Sequence, residues 1–309
     1  MSKSGFKMKN HSGMIEKNSV SRIIFCICNY GFFILFSIIC ILPIWHVVMA
    51  SFSDPRVLMG TSGLVLKPLG EATLEGYKLV LSNMAILKGY LNTFLYVAWV
   101  AIAGTALTTL AGFLISRNDF LLAKPLSLFI LFTMMFSGGL IPSYMVIRQL
   151  GMINTCWALM LPGITNAFYI MMISGSLKAL PASYEESAKL DGAGPVTIMV
   201  KILLPLIKAN LAVVVMFNVI GMWNSWYPAS IYLPRARELW PLQLVMREML
   251  IENDMKSVIT SSDTKNAVDY VANLCKYCVT VVGTLPILCA YPFAQKYFVA
   301  GVQLGGVKG

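Results

Sequence analysis

Charged residues and histidines are scarce in this 309-residue sequence. Asp, Glu, Lys and Arg make up 12% of the chain, whereas an average soluble domain carries roughly 25%. There are two histidines, His11 and His46. Hydrophobic residues make up 57% of the chain, and they cluster into long blocks. This composition excludes an ordinary soluble domain and predicts a protein that lies largely within a membrane.

The sequence also lacks the motifs of nucleotide and metal chemistry. It contains no G-x-x-x-x-G-K-[ST] phosphate loop and no H-E-x-x-H metal motif. Cys275 and Cys278 form a C-x-x-C without a second cysteine pair or a histidine near them, so we interpret them as packing residues of a helix. We therefore expect a chain that is not an enzyme and that itself binds no cofactor and no metal ion.

Long runs without any charged residue are the main feature of the sequence. A helix that spans a bilayer needs about 20 apolar residues, so these runs predict an all-α polytopic membrane protein with six transmembrane helices. The first run is far longer than the apolar core of a signal peptide, which favours an uncleaved first span. In the third run, Gly138-Gly139 and Pro142 should end or kink the helix. The six runs are Ile23–Ser53, Gly89–Ser116, Pro125–Ile147, Gln149–Leu177, Ala209–Pro234 and Tyr277–Gln295.

The absence of charge within these runs bears on the energy source of transport. Proton- and ion-coupled transporters usually place ionisable groups at membrane depth, and none lies inside the six runs. This disfavours a secondary transporter, although uncharged polar groups can also bind sodium. A pore without such groups needs its energy from elsewhere.

The basic residues predict how the chain is oriented. If residues 1–22 are cytoplasmic, the inner segments hold 13 basic and 5 acidic residues, and the outer segments hold 11 and 9. This positive-inside bias predicts cytoplasmic tails at 1–22 and 296–309 around a transmembrane domain at 23–295. The net charge of +10 then reflects membrane lipid rather than nucleic acid. The long connections are two outer loops, 54–88 and 235–276, and an inner loop, 178–208.

The inner loop has clear local signals in the stretch LPASYEESAKLDGAGPVTIMVKILLP. Ser183 and Glu186 form an S-x-x-E capping box, which predicts that a helix begins at Ser183. Asp191-Gly192 predicts the end of that helix, and Pro195 suits the first turn of a second helix. We expect two short helices joined by a glycine turn. These local signals alone favour an amphipathic loop that lies on the lipid headgroups.

A longer pattern in this loop resembles a known motif. The residues E-S-A-x-x-D-G, followed after nine residues by I-L-L-P, resemble the EAA loop of ABC importer permeases. The departures are Ser187 for alanine and Ala209 where sugar permeases often carry proline. The resemblance implies contact with an ATPase subunit. The candidate coupling residues are Glu185, Glu186, Ser187, Ala188, Asp191, Gly192, Ala193, Ile202, Leu204 and Pro205.

Two further stretches are similar to one branch of these permeases. SGGLIPSYMVIRQLGMINTCWALMLPG and the ending FVAGVQLGGVKG resemble polysaccharide and lipoprotein-type carbohydrate permeases, close to the second permease of maltose-type importers. This resemblance covers residues 20–309. It implies a type I fold with six helices in the cytoplasmic membrane, a partner permease and an oligosaccharide substrate. It also implies two ATP-binding subunits that hold Mg-ATP and an external solute-binding protein.

Two other functions remain open from the residues alone. One is an ABC permease for a non-sugar solute, and the other is a membrane enzyme acting on lipid-linked glycans. An enzyme should show converging acidic, histidine or metal-binding residues, and the sequence has no such set. Aromatic and amide groups suit a neutral sugar, although tryptophans in membrane proteins are more often interfacial anchors. The candidate substrate-path residues are Asn218, Trp223, Asn224, Trp226 and Tyr227.

The second outer loop is predicted to form a helical hairpin that projects outward. Its apolar spacing predicts a helix over Glu238–Glu252 and a second helix from Ala267, with a flexible turn over Ser257–Asp263. Long loops with their own structure are usually functional, and in maltose-type importers this loop reaches the binding protein. The glycine-rich tail from Lys296 is expected either to reach the ATPases or to be frayed.

Overall fold

The computed structural model describes residues 20–117, 119–251 and 265–306, and every regular element within these ranges is helical. In chain order, the first helices are α1 (Val20–Ser51), α2 (Pro55–Gly60), α3 (Glu75–Ser82), α4 (Met84–Trp99), α5 (Thr105–Ser116), α6 (Ala123–Met135), α7 (Leu140–Gln149) and α8 (Trp157–Met160). These are followed by α9 (Ala167–Lys178), α10 (Ser183–Leu190), α11 (Pro195–Thr197), α12 (Leu204–Leu206), α13 (Lys208–Trp223), α14 (Tyr227–Tyr232), α15 (Leu242–Ile251) and α16 (Lys265–Gly306). The expected all-α fold agrees with this description.

Helix α1 is long and apolar, and most of its side chains are exposed in this chain. It packs against α16 near its C-terminal end, where Ala50 and Ser51 are buried. The first outer loop folds back onto this end. The indole Nε1 of Trp45 donates to the Leu66 carbonyl at 2.9 Å, and the Val65 N–H donates to Nδ1 of His46 at 2.9 Å. His46 therefore holds the outer loop in place.

Helices α4 and α5 form one continuous rod through a π-helical turn at Val100–Gly104. At Gly104 a Cβ atom would lie 2.5 Å from the Ile164 carbonyl oxygen, and at Gly112 it would lie 2.7 Å from the Ile173 side chain. Only glycine allows so close an approach at these two positions. Helix α5 consequently packs tightly along α9.

The third apolar run breaks where its glycines and proline predict a break. Helix α6 ends at Met135, Gly139 adopts φ +84°, and α7 leaves at an angle of 116° to α6. The predicted kink is confirmed. The uncharged run Pro125–Ile147 therefore contains two helices that point in different directions.

The fourth apolar run is divided as well. Within Gln149–Leu177 the chain forms the single turn of α8 and then α9, which has 12 residues and is therefore about 18 Å long. In the described residues, three helical stretches are long and apolar enough to cross a membrane, and up to five if each bent helix pair counts as one span. The type of fold agrees with the sequence analysis, whereas the expected number of six spans is not established by helix length.

The inner loop contains the two predicted helices. Helix α10 begins at Ser183, as expected, and Pro195 opens a second helical stretch that ends in an 87° bend before α13. The predicted capping box is wrong. Ala182 is already helical (φ −60°, ψ −26°) and serves as the N-cap without a side-chain hydrogen bond. The Ser183 hydroxyl therefore lies inside the first turn, past the position of a cap.

The second outer loop differs from a projecting hairpin. Helix α15 lies within the predicted Glu238–Glu252 region, but it packs against α4 and α16 with Leu242 and Val245 buried. Helix α16 begins at Lys265, close to the predicted helix start at Ala267. It continues without a break through the uncharged run that starts at Tyr277, and its backbone stays helical to Gly306. The predicted flexible turn, Ser257–Asp263, lies outside the described residues.

Candidate coupling and substrate sites

Helix α10 has one face buried against the body of the protein and one face exposed. Ala188 is 5% exposed and belongs to an apolar cluster with residues of α5, α9 and the inner loop. Ser183, Glu186, Ser187 and Leu190 are exposed, and Leu190 is 89% exposed. Their spacing of three and four residues places them on the same side of the helix. The exposed side combines a carboxylate, small polar groups and one leucine.

Gly192 ends α10 in a Schellman motif. Its φ is +78°, its N–H donates to the Lys189 carbonyl at 3.1 Å, and the Ala193 N–H donates to the Ala188 carbonyl at 2.9 Å. No atom outside the adjacent residues lies within 4 Å of a Cβ built at Gly192. The requirement for glycine is therefore conformational, because a residue with a side chain resists this φ by about 1 kcal/mol or more. Asp191, the C-cap, is exposed beside it.

Glu185 points toward the body of the protein rather than outward. Both of its carboxylate oxygens pair with the guanidinium of Arg117, directly after α5, and the two side chains are 19% and 15% exposed. The Arg117 guanidinium also lies 4.8 Å above the Phe113 ring. A second, exposed pair joins Lys189 to Asp119 at 3.7 Å. We call these two ion pairs the α5–α10 brace.

Sequence reasoning missed Arg117, the partner of this predicted coupling residue. The available signal was a basic residue at the end of an apolar run that faces a loop with adjacent acids. The remaining predicted residues of the loop lie in or beside the apolar cluster that packs on α10. Ile202 and Leu204 are partly buried in the cluster around Leu203, and Pro205 is exposed just before the bend into α13.

A cleft of about 620 Å³ lies between the start of α7, the α8–α9 connection, α13 and α14. This volume is within the range of about 300–1,000 Å³ found for small-molecule sites. Of the five predicted substrate-path residues, Asn218 and Tyr227 line it. The lining includes the non-helical chain at the breaks after α6 and α8. Non-helical backbone at membrane depth is tolerated where it lines a cavity, and it is typical of transporter sites.

The other three predicted path residues lie outside the cleft. Trp223 is 4% exposed and packs against the rings of Tyr90 and Phe94, with centroids 6.3 and 5.7 Å away. Asn224 is exposed, and its Nδ2 donates to the carbonyl four residues earlier at 3.0 Å. Trp226 lies under the Arg247 guanidinium at 4.3 Å. Trp223 is thus a core residue, and Trp226 forms a cation–π pair with Arg247.

Several cleft residues were not predicted from the sequence. Tyr169 stacks on Phe217 with a centroid distance of 6.0 Å and an interplanar angle of 10°, and both line the cleft. Further polar lining comes from Ser137, Ser143, Thr165 and Asn166. The available signal was their position beside the glycines and prolines that interrupt the third and fourth apolar runs.

Residues 86–302 match the family described as "Binding-protein-dependent transport system inner membrane component". The chain belongs to this family. Two relatives from Bacillus subtilis (strain 168) support the assignment over nearly the whole chain. The polygalacturonan/rhamnogalacturonan transport system permease protein YtcP is 34% identical over 91% of this chain and 96% of its own length. Protein LplC is 35% identical over 94% and 97%.

A solved structure agrees with these relatives. A chain from the crystal structure of a bacterial ABC transporter involved in the import of the acidic polysaccharide alginate has a TM-score of 0.81 to this permease. It is 25% identical in sequence, and the match covers 92% of this chain and 99% of that chain. The fold is therefore that of an ABC importer permease. The resemblance first indicated by the EAA-like loop is confirmed.

The cleft of this permease is uncharged. None of the residues that line it is Asp, Glu, Lys, Arg or His. In the described part of the chain, no group of three or more His, Cys, Asp and Glu side chains could hold a metal ion. Cys275 and Cys278 are both buried in the core beside α1, where Sγ of Cys278 donates to the Ser51 carbonyl at 3.5 Å. The chemistry available in the cleft is hydrogen bonding and contact with aromatic rings.

Proposed function

We propose that this permease is one of two membrane-spanning subunits of an ABC importer that carries an oligosaccharide across the cytoplasmic membrane. The names of its relatives support a carbohydrate substrate, since one is a polygalacturonan/rhamnogalacturonan permease and the structural neighbour takes part in alginate import. The uncharged, aromatic-lined cleft suits a hydrated, hydroxyl-rich solute. In this proposal the chain crosses the membrane six times and both of its termini are cytoplasmic.

The proposed importer contains further subunits. A second permease would form a heterodimer with this one, and an external solute-binding protein would deliver the sugar. Two ATP-binding subunits would hold Mg-ATP, because this chain has no phosphate-binding loop. The apolar surface of α1 is mostly exposed in this chain, so it is available to lipid and to the partner permease.

The two-faced geometry of α10 is the observation that carries this proposal. Its buried face and the α5–α10 brace fix the helix to α5, and α5 packs along α9, whose first residues line the cleft. Its exposed face offers Glu186 and Leu190 to a docking partner. Movement of an ATPase against α10 would thus pass through α5 and α9 to the cleft.

Charge substitutions at two exposed positions, one in α10 and one directly after it, test the coupling role. In the reconstituted importer, we expect Glu186→Lys and Gly192→Asp each to reduce sugar uptake at least about tenfold, since each removes roughly 1.4 kcal/mol or more from the docking contact. Insertion and assembly should be preserved, because Glu186 and Gly192 are both exposed. Uptake and ATP hydrolysis are measured together in proteoliposomes.

Glu71→Lys is the matched control for this experiment. It makes the same charge change as Glu186→Lys at an exposed position of the first outer loop, so it should leave both rates unchanged. If Glu186→Lys and Gly192→Asp transport and hydrolyse ATP as the wild type does, α10 is not the ATPase contact.

We also propose that the second outer loop, 235–276, contacts the solute-binding protein. Support comes from the position of this loop, which is outside the membrane in the proposed topology. Single cysteines placed along Ser257–Asp263 should crosslink to the binding protein in the assembled importer. If every position fails in a fully assembled complex, the contact does not exist.

The contact of the C-terminal tail with the ATPases stays a prediction, tested by deleting residues 305–309 and measuring ATPase stimulation.

A further inference from the structure

The connection between α14 and α15 is held to the rest of the protein by its main chain. Apart from one 3₁₀ turn at Arg237–Leu239, residues 233–241 form no regular element, and we call them the strap. Backbone carbonyls and N–H groups outside regular elements need hydrogen-bond partners from elsewhere. Helix α4 supplies several of these partners through its polar side chains.

Two side chains of α4 donate hydrogen bonds to consecutive carbonyls of the strap. Nδ2 of Asn92 donates to the Glu238 carbonyl at 2.7 Å and to the Trp240 carbonyl at 3.1 Å. The hydroxyl of Tyr96 donates to the Leu239 carbonyl at 2.8 Å. Tyr96 is 2% exposed, so its ring is part of the core and its hydroxyl reaches the strap from a fixed position. Three successive carbonyls are thus bonded to one helix.

A third side chain of α4 holds the point where the strap enters α15. Oγ1 of Thr93 accepts the Leu242 N–H at 2.8 Å and donates to the Gly89 carbonyl at 2.8 Å, and Thr93 and Leu242 are both 0% exposed. The first N–H groups of a helix have no intrahelical partner, and a buried unpaired N–H is unfavourable. A Cβ at Gly89 would lie 3.1 Å from Cα of Leu242, so glycine allows this approach. We call Asn92, Thr93 and Tyr96 the α4 clamp.

The rod formed by α4 and α5 extends from the α4 clamp to the α5–α10 brace. It runs from Met84 to Ser116, which is 33 residues and therefore roughly 50 Å. Arg117 follows the rod directly and pairs with Glu185 of α10. Between the two ends, Val100 in the π-helical turn lines the cleft. One continuous helical element therefore contacts the strap near one end and the proposed ATPase-docking helix at the other.

The strap is also bonded to the wall of the cleft. The Asn154 N–H donates to the Tyr232 carbonyl at 2.8 Å, and Oδ1 of Asn154 accepts the Arg235 N–H at 3.0 Å. Nε1 of Trp240 donates to the Leu233 carbonyl at 2.8 Å, which closes the strap on itself. Tyr232 lines the cleft. The strap therefore joins the rod to the cleft wall through hydrogen bonds to its main chain.

We propose that Asn92, Thr93 and Tyr96 are positioning residues that make the strap follow the rod, so that the nucleotide state of an ATPase docked on α10 sets the conformation of the second outer loop. This inference rests on the proposed docking of an ATPase on α10 and names the residues that act at the far end of the rod. Coupling between two sites is reciprocal in its binding free energies. A partner bound to the second outer loop therefore acts on the ATPase through the same hydrogen bonds.

Hydrogen exchange in two nucleotide states tests this proposal without a sugar or a binding protein. The sample is the purified importer with its partner permease and ATPase subunits in lipid nanodiscs, either without nucleotide or with Mg²⁺ and the non-hydrolysable ATP analogue AMP-PNP. In the wild type, we expect the exchange rates of the amides in residues 238–246 to differ at least about fivefold between the two states. The amides of α10 are followed in the same samples, because they report on docking of the ATPase.

Conservative variants of the α4 clamp identify the hydrogen bonds that carry the effect. Tyr96→Phe removes one hydroxyl and keeps the ring, and Thr93→Val removes the acceptor of the Leu242 N–H. In both variants we expect the ratio of exchange rates between the two states to fall below about twofold, since one hydrogen bond is worth about fivefold in an equilibrium. Thr93→Ser keeps the acceptor and should keep the wild-type ratio.

Tyr90→Phe is the matched control. The Tyr90 hydroxyl also lies on α4 and also donates to a main-chain carbonyl, but its acceptor is Val282 of α16 and not the strap. It should keep the wild-type ratio. A clamp that only supports the fold would speed exchange in both nucleotide states alike, and the ratio in Tyr96→Phe would then equal that of the wild type. This result would overturn the inference.

The remaining outcomes separate this inference from the proposed function. If AMP-PNP changes exchange in α10 but not in residues 238–246 of the wild type, the role of the clamp is overturned and the docking of an ATPase on α10 still stands. Equal losses of the ratio in Tyr90→Phe and Tyr96→Phe would also overturn it. If neither α10 nor the strap responds to AMP-PNP in an importer that binds it, the proposed docking on α10 fails together with this inference.

Discussion

The coupling loop and the cleft differ in how their residues are brought together. The exposed side of α10 and its terminating glycine come from one short segment, and their hydrogen bonds join residues no more than five positions apart. The cleft draws its lining from Val100 to Tyr232, across several helices and two breaks. A site formed by one short segment has a motif that is visible in the sequence. In a site formed by several helices, the polar residues are visible in the sequence, but their partners are known only from the folded structure.

The largest expected effect is a loss of stability, and it concerns a core residue that was predicted to line the substrate path. Trp223 was predicted to line the substrate path, but it is buried against Tyr90 and Phe94. We expect Trp223→Ala to destabilise the permease by about 3–5 kcal/mol through lost packing, and Trp223→Phe to destabilise it much less. The check is thermal unfolding in detergent together with the KM for uptake by the folded fraction. If Trp223→Phe alters the KM for uptake while the stability is unchanged, Trp223 contacts the substrate after all.

The next effect concerns the α5–α10 brace. Removing one partner of a mostly buried ion pair leaves the other charge uncompensated, so Arg117→Ala and Glu185→Ala should each cost about 3 kcal/mol. The exchange Arg117→Glu with Glu185→Arg should restore much of that stability and of the coupled uptake. Lys189→Ala, which removes the exposed pair with Asp119, should cost less than about 1 kcal/mol. A brace without function would give variants with lower stability but an unchanged ratio of sugar transported to ATP hydrolysed.

A third comparison uses two leucines with almost the same exposure. Leu190 is 89% exposed on α10, and Leu121 is 91% exposed in the short connection between α5 and α6. Neither contributes to the core, so serine at either position should leave stability within about 0.5 kcal/mol. We expect Leu190→Ser to lower transport-coupled ATPase activity about tenfold, as for the loss of a contact residue at an interface centre. Leu121→Ser should keep it. Equal activities in the two variants would place the docking surface elsewhere.

The sequence predicted the coupling loop in more detail than the cleft, for physical reasons. The positive φ of Gly192 and the helix start at Pro195 follow from residue chemistry alone. The capping box failed because Ala182 had already entered the helix. The fourth apolar run was interpreted as one span because its residues stay apolar across the break between α8 and α9, so hydropathy does not reveal that break. Arg117 could not be paired with Glu185 until α5 and α10 were placed side by side.

The smallest expected effect tests whether the cleft is the path at all. Tyr169 lines the cleft and stacks on Phe217, and it is partly exposed there. Tyr169→Ala removes one ring of this platform, which is worth about 0.5–1.5 kcal/mol, so the KM for sugar uptake should rise roughly three- to tenfold. Tyr169→Phe keeps the ring and should keep the KM within about twofold, because the platform acts through its face. Both variants should retain basal ATPase activity, since α10 and the brace are unaltered. A KM that is unchanged in Tyr169→Ala, with uptake measured in the assembled importer, would show that the sugar passes without touching this wall.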